Sequence, residues 1–190
     1  MKSLILAAVL GVAASQALAA AEDYTLDPSH SQIVFNYDHV GYSTTYGVFS
    51  GFDGKITLDQ EDPAASSVSV SFPVKSMFTG WQERFDHFMS PDFFDAADDE
   101  MVSFASTAIE VTGDKTALIT GDLTLNGVTK SVVLDAVLNQ IGEHPVTNKP
   151  SVGFTATTML VRSEYNLGMF APYVSDEVQV MISLEAAKAE

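Results

Sequence analysis

Four histidines, His30, His39, His87 and His144, are the side chains best suited to hold a metal or move a proton near neutral pH. Their spacing favours neither task. None pairs with another as HxxxH or HExxH, and a chain without cysteine offers no thiolate site and no thiol nucleophile. His30 and His39 bracket one candidate strand at odd separation, which sends them to opposite faces. His30 suits a local bond in a turn. His39 suits a cap at the strand's far end or a contact to a ligand's head group. His87 follows Arg84 and Asp86 as a solvated position, and His144 belongs to a loop. Serines are numerous, yet no G-x-S-x-G elbow is present. The acidic run DAADDE, residues 95–100, lacks the glycine and closing glutamate of a calcium loop. We therefore expect no catalytic residue, no metal and no required cofactor.

What the chain has in excess is rings. Between residues 30 and 54 stand Phe35, Tyr37, Tyr42, Tyr46, Phe49 and Phe52, with no Lys or Arg among them. A half-buried hairpin cannot hide that much aromatic area alone, so a core or a ligand must cover it. The surrounding pattern is two-residue alternation. Ile33, Phe35 and Tyr37 share one face of a first strand. Val48, Phe52, Ile56 and Leu58 share a face of a second, bent at Gly51, and Val68, Val70 and Phe72 mark a third. Five more strands follow near Met101–Val111, Ala117–Leu125, Ser131–Asn139, Ser151–Arg162 and Glu177–Glu185, separated by turns such as TGDK, NGVTK and NKP. Between the third and fourth strands the period changes. Phe85, Phe88 and Met89 have helical spacing, and Ser90-Pro91 begins a second short turn. The expectation is one all-β domain of eight antiparallel strands with a short helical insert between strands 3 and 4. Periodicity alone leaves a β-sandwich and a closed barrel both open.

Residues 1–19, MKSLILAAVLGVAASQALA, have the cationic, apolar and small-residue order of a signal peptide cleaved near Ala19. The apolar run is too short for a membrane anchor. The domain then spans residues 20–190, is periplasmic or secreted, and carries no integral membrane segment. With 25 acidic residues against 9 Lys and Arg, the net charge of −16 repels nucleic acid and anionic surfaces. A homodimer is left open.

Several motifs occur together and in order: LDPSHSQIVFNYDH, YGVFSGFDGKITLD, RFDHFMSPDFFD, VSFAST, GDLTLNGVTKSVVLDA, VRSEYNLGM and SDEVQVMISLEA. With these the chain resembles the YceI-like family of bacterial exported proteins, also called polyisoprenoid-binding or lipocalin-like. It departs from the family pattern in its acidity and in the residues after Arg162-Ser163, where an Asp, an aromatic residue and Gly are more usual. The resemblance implies an eight-stranded lipocalin-like barrel with a long interior pocket. It also implies a long-chain lipid ligand, such as a polyprenyl phosphate or an isoprenoid quinone.

On that barrel the ligand would meet Ile33, Phe35, Tyr37, His39, Phe52, Phe104 and Phe154. Phe85, Phe88, Met89, Phe93, Phe94, Met169 and Phe170 would form an apolar lid or mouth. Arg162 ends a strand whose alternate residues, Val152 through Leu160, share its face, so it would stand at one mouth. There it either meets a phosphate or quinone oxygen or pairs with Glu164 or Asp176 to brace the strand ends. The expected role is lipid carriage or sequestration. The alternative is an extracellular β-sandwich that binds a partner through exposed aromatics.

Overall fold

The computed structural model describes residues 21–190; the expected export signal over residues 1–19 lies outside them. Ten strands form one antiparallel sheet. They are β1 (Glu22–Leu26), β2 (Gln32–His39), β3 (Ser43–Phe49), β4 (Asp53–Leu58), β5 (Ser67–Pro73), β6 (Met101–Gly113), β7 (Thr116–Leu125), β8 (Val128–Glu143), β9 (Pro150–Val161) and β10 (Glu177–Lys188), with helix α1 (Gln82–Met89) between β5 and β6.

Ten strands make eight places in a ring. β1 and β2 lie end to end along β10: Leu26 faces Ala186, whereas Ile33 faces Ile182 and Phe35 faces Val180. Between them the Asp27 N–H donates to the Glu185 carbonyl at 2.8 Å, so the chain skirts β10 without leaving it. On the far side β4 pairs with β1 and β3 with β2. Each couple fills one place, and the β1–β10 pairing closes the sheet into an eight-stranded antiparallel barrel. A closed ring has no second sheet to stack on, so the β-sandwich alternative is ruled out.

Two details correct the sequence reading. The helix follows five strands rather than three, because β1 was not foreseen and the second strand is broken. β1 shows only Tyr24 and Leu26 as apolar residues, too short a signal for a strand. The break falls where Gly51 takes a left-handed φ of 71°, a conformation that favours glycine. It also resets the alternation. Phe49 and Phe52 are both buried although three residues apart, and Val48 turns away to exchange backbone hydrogen bonds with Phe78.

Bulges re-aim other strands in the same manner. On β6 the inward residues change from Val102 and Phe104 to Ile109 and Val111 across the irregularity between Ser106 and Ala108. On β8 they change from Leu134, Ala136 and Leu138 to Ile141 across the irregularity beginning at Leu138. The β7–β8 connection is the two-residue Asn126-Gly127 turn, both residues at positive φ, as its sequence foretells.

α1 lies across one end of the ring. Its Phe85, Phe88 and Met89, with Phe94 from the following turn, pack on a core of Phe49, Phe52, Phe72, Val74 and Met77. Ser90 ends the helix: its Oγ donates to the His87 carbonyl at 2.7 Å. Among the described residues no helix is long and apolar enough to cross a membrane.

Candidate functional site

The ring is not full. A cavity of about 950 Å³ runs from the α1 end to the opposite end, where the β4–β5 and β6–β7 connections meet it at Asp59, Ser66, Asp114 and Lys115. Its wall is overwhelmingly apolar because every strand turns its alternate residues inward. β9 offers Phe154, Ala156, Thr158 and Leu160, and β10 offers Val178, Val180, Ile182 and Leu184. Ala136 and Ala156 are cross-strand partners in mid-barrel, where small side chains keep the bore open. At the β1 corner Tyr24, Leu26, Val152 and Ala186 fill the space instead.

Of the fifteen residues expected at the ligand or its mouth, twelve line this lumen: Ile33, Phe35, Tyr37, His39, Phe52, Phe88, Phe93, Phe94, Phe104, Phe154, Arg162 and Phe170. Phe85, Met89 and Met169 do not line it. Phe85 and Met89 anchor the helix to the core beneath it, and Met169 is part-exposed on the loop after β9. Phe49, Phe72, Leu134 and Ile182 also line the lumen and were not anticipated. Phe49 was missed because the break at Gly51 shifts the strand's phase, the signal for which is the glycine itself.

The α1 end is the chemically varied one. Phe88 approaches Tyr37 with ring centroids 6.4 Å apart, and His87 stacks edge-on to Phe93 at 5.1 Å and lies 6.1 Å from Phe170. His87 Nε2 is 3.0 Å from an Asp92 carboxylate oxygen. Arg84 donates to the Thr79 carbonyl at 3.0 Å and lies 5.9 Å from the centroid of the Trp81 ring. Burial pushes the Tyr37 phenol above its usual value, while a bond to Thr45 and the charges of Arg84 and Arg162 act against that rise.

Arg162 forms neither of the ion pairs expected of it. It makes no ion pair among the described residues; Glu164 pairs with Lys130 at 3.3 Å, and Asp176 accepts from the Ser163 N–H and hydroxyl at 2.8 and 2.6 Å. The guanidinium instead donates to four backbone carbonyls: Nε to Ser175 at 2.8 Å, Nη1 to Leu167 and to Met169, and Nη2 to Val174 at 2.9 Å. Burial lowers its pKa, with Asp176 opposing. The planar fork holds the 167–175 loop over the lumen's mouth, a task for which several donors in one plane are needed. The chain's only two arginines, Arg84 and Arg162, thus both border the same opening.

Of the other histidines, His30 and His144 make local contacts. His30 Nδ1 lies 2.7 Å from Asp27 on the barrel's outside, and His144 Nδ1 accepts from the Val146 and Thr147 N–H groups. His39 pairs across to Val174 as an isolated bridge. Glu185, brought alongside by β10, places ligand-type atoms of Asp27, His30 and Glu185 within 4.8 Å of one another. No sequence spacing could have shown that grouping. Its Asp27 oxygens already accept from Ser29 and contact His30.

Similar proteins agree with this geometry. A UPF0312 protein of Ectopseudomonas mendocina (strain ymp) is 38% identical over 190 residues, covering 99% of both chains. The crystal structure of Burkholderia cenocepacia BcnA superposes with a TM-score of 0.76 at 25% identity, over 85% of this chain and 99% of that one. A polyisoprenoid binding domain from Saccharophagus degradans, implicated in plant cell wall breakdown, has a TM-score of 0.68 at 14% identity, over 87% and 98% of the two chains, and shares the fold. The model of the YceI-like domain matches residues 24–186, nearly all of the described barrel, and the chain belongs to that family.

Proposed function

We propose that this protein is an exported carrier or sequestration protein, periplasmic or secreted, that holds an isoprenoid lipid in its lumen and catalyses nothing. The observation that carries the reading is the unfilled apolar bore. From Val102 to Gly113 both ends of β6 line it. Those eleven steps are at most about 37 Å along the strand, or about 29 Å along an axis to which strands tilt by about 40°. One leaflet of a bilayer is about 15 Å of hydrocarbon. The bore therefore suits a tail nearly twice as long as one leaflet, which favours a polyprenyl phosphate or isoprenoid quinone over an ordinary acyl chain.

Energetics define the task. Each methylene moved from water to oil is worth about 0.8 kcal/mol, so a long tail would sum past the ceiling of about 20 kcal/mol for non-covalent complexes. That sum takes water as the starting point, whereas such a lipid starts in a bilayer. Hydrocarbon exchanged for hydrocarbon gains almost nothing. What the barrel provides is transit through water, with selection by bore length and by head contacts. The Tyr37 phenol, Arg84 and His39 are the groups that support a polar head lying at the α1 end, since four of the five Arg162 N–H donors are engaged by the loop. The strongly acidic chain disfavours nucleic acid as a partner.

Organic extraction of protein purified without detergent, followed by mass spectrometry, tests the reading. A long-chain amphiphile in near-stoichiometric amount is expected. Protein that yields none, and takes none up from added isoprenoid lipid, overturns it.

A further inference from the structure

Six aromatic residues among those described are exposed: Tyr42, Tyr46, Phe78, Trp81, Tyr173 and Phe170. Ten strands and their connections could have scattered them, but all six belong to the end where α1 lies. Tyr42 is in the β2–β3 turn and Tyr46 is on β3. Phe78 and Trp81 are in the segment leading into α1, and Phe170 and Tyr173 are in the loop that Arg162 clamps. Backbone contacts bring these segments together. His39 pairs with Val174, the Ser175 N–H donates to Asp38, and Val48 exchanges both backbone bonds with Phe78. Tyr42 is 92% and Tyr173 80% exposed, which is costly for rings with no partner.

We infer that this rim docks on the surface of an electrically neutral lipid bilayer, bringing the lumen's mouth against the hydrocarbon from which the ligand comes. The inference rests on the carrier reading above and adds a partner to it. Tyr and Trp are the residues that settle at a bilayer's interface, apolar body inward and polar tip in the head groups. The mouth is continuous with the rim: Trp81 and Phe170 belong both to the exposed set and to the lumen wall.

Charge selects the occupant. The cations at this end are Lys75, Lys130, Arg84 and Arg162. Lys75 pairs with Asp98 at 2.5 Å and Lys130 with Glu164, and Arg162 is buried. Asp38, Glu83, Asp86 and Asp92 belong to the same segments as the rings, and besides Arg84 the basic group beside them is His87, 3.0 Å from Asp92. An anionic bilayer is repelled by that array, and a second copy docked mouth to mouth would set the same acids against themselves. A zwitterionic surface meets neither penalty.

Trp81 is the chain's only tryptophan, so its fluorescence reports the rim directly. The purified protein is mixed with phosphatidylcholine vesicles, with and without brominated acyl chains, and with vesicles containing phosphatidylserine. Docking predicts co-flotation with neutral vesicles, a blue-shifted Trp81 emission quenched by the bromines, and weaker binding as anionic lipid is added. The double variant Tyr42→Ser, Tyr173→Ser should lose at least tenfold in partitioning while keeping its thermal unfolding midpoint. Unchanged emission with no co-flotation overturns the inference, as does binding that the double variant leaves intact. Burial of Trp81 in a dimer formed without lipid overturns it too, in favour of a second copy. The readout does not depend on a filled lumen. Failure to dock therefore stays separable from failure to extract a lipid, which would overturn the carrier reading.

Discussion

Phe35 lies over Gly47, its cross-strand partner on β3, so closely that a methyl at Gly47 would overlap the ring. Phe104 covers Gly121 on β7 in the same way. In both places a bulky ring on one strand and a missing side chain on the next let the aromatic lie back against the wall rather than stand across the bore.

Gly47→Ala should therefore swing Phe35 into the lumen. Overpacking of this kind costs about 1–3 kcal/mol, measurable as a lower urea midpoint, and the displaced ring should reduce lipid uptake beyond what the stability loss explains. Uptake equal to the parent's would show that the ring has another place to go.

Ala156→Phe separates bore from fold. Ala156 is buried mid-barrel beside Ala136 and Ile182, facing open space. Because vacancy receives the ring, the stability change should stay below the about 1–3 kcal/mol that overpacking a filled core costs, while lipid uptake falls at least tenfold. Full uptake would place the ligand elsewhere.

Arg162→Ala strips hydrogen-bond donors from four loop carbonyls. Leaving such acceptors unpaired in a buried setting should cost about 3 kcal/mol or more. Limited proteolysis should cut first within residues 167–175. Arg162→Lys should not restore the parent, since an ammonium has no planar fork.

The Asp27–His30 pair gives a pH signature. Serine and His30 contacts hold the Asp27 carboxyl down to about 2, from 3.8. Its contribution is present above about pH 3.8 and is lost as pH falls through about 2. The contact with Asp27 raises His30 above 6.5, so its contribution is complete below that value and is lost as pH rises through the raised pKa. The difference in melting temperature between the parent and Asp27→Asn should therefore be largest between about pH 4 and 6.5 and shrink on either side. A difference independent of pH would exclude the pair as its source.

Much of this was legible beforehand, and what was not has identifiable causes. Alternation exposed β2, β5 and the five long strands, because a wall buried on one side must repeat every two residues. It failed where the backbone slips phase. Gly51 and the β6 and β8 bulges exchange inward for outward within a strand, so Val48 was expected inside and Phe49 was passed over. Ring closure was not in the periodicity, since the β1–β10 pairing joins residues more than 150 positions apart. Arg162 was recognised as sited at a mouth, but its partners are backbone carbonyls, which leave no mark on a sequence.

The strand that closes the circle is also the last of the barrel's strands in chain order. β10 bonds to β9 on one edge and to both β1 and β2 on the other. Until Glu177–Lys188 arrives, three strands keep unpaired edges and there is no enclosed interior. A chain lacking β10 can neither enclose a cavity nor hide its open strand edges.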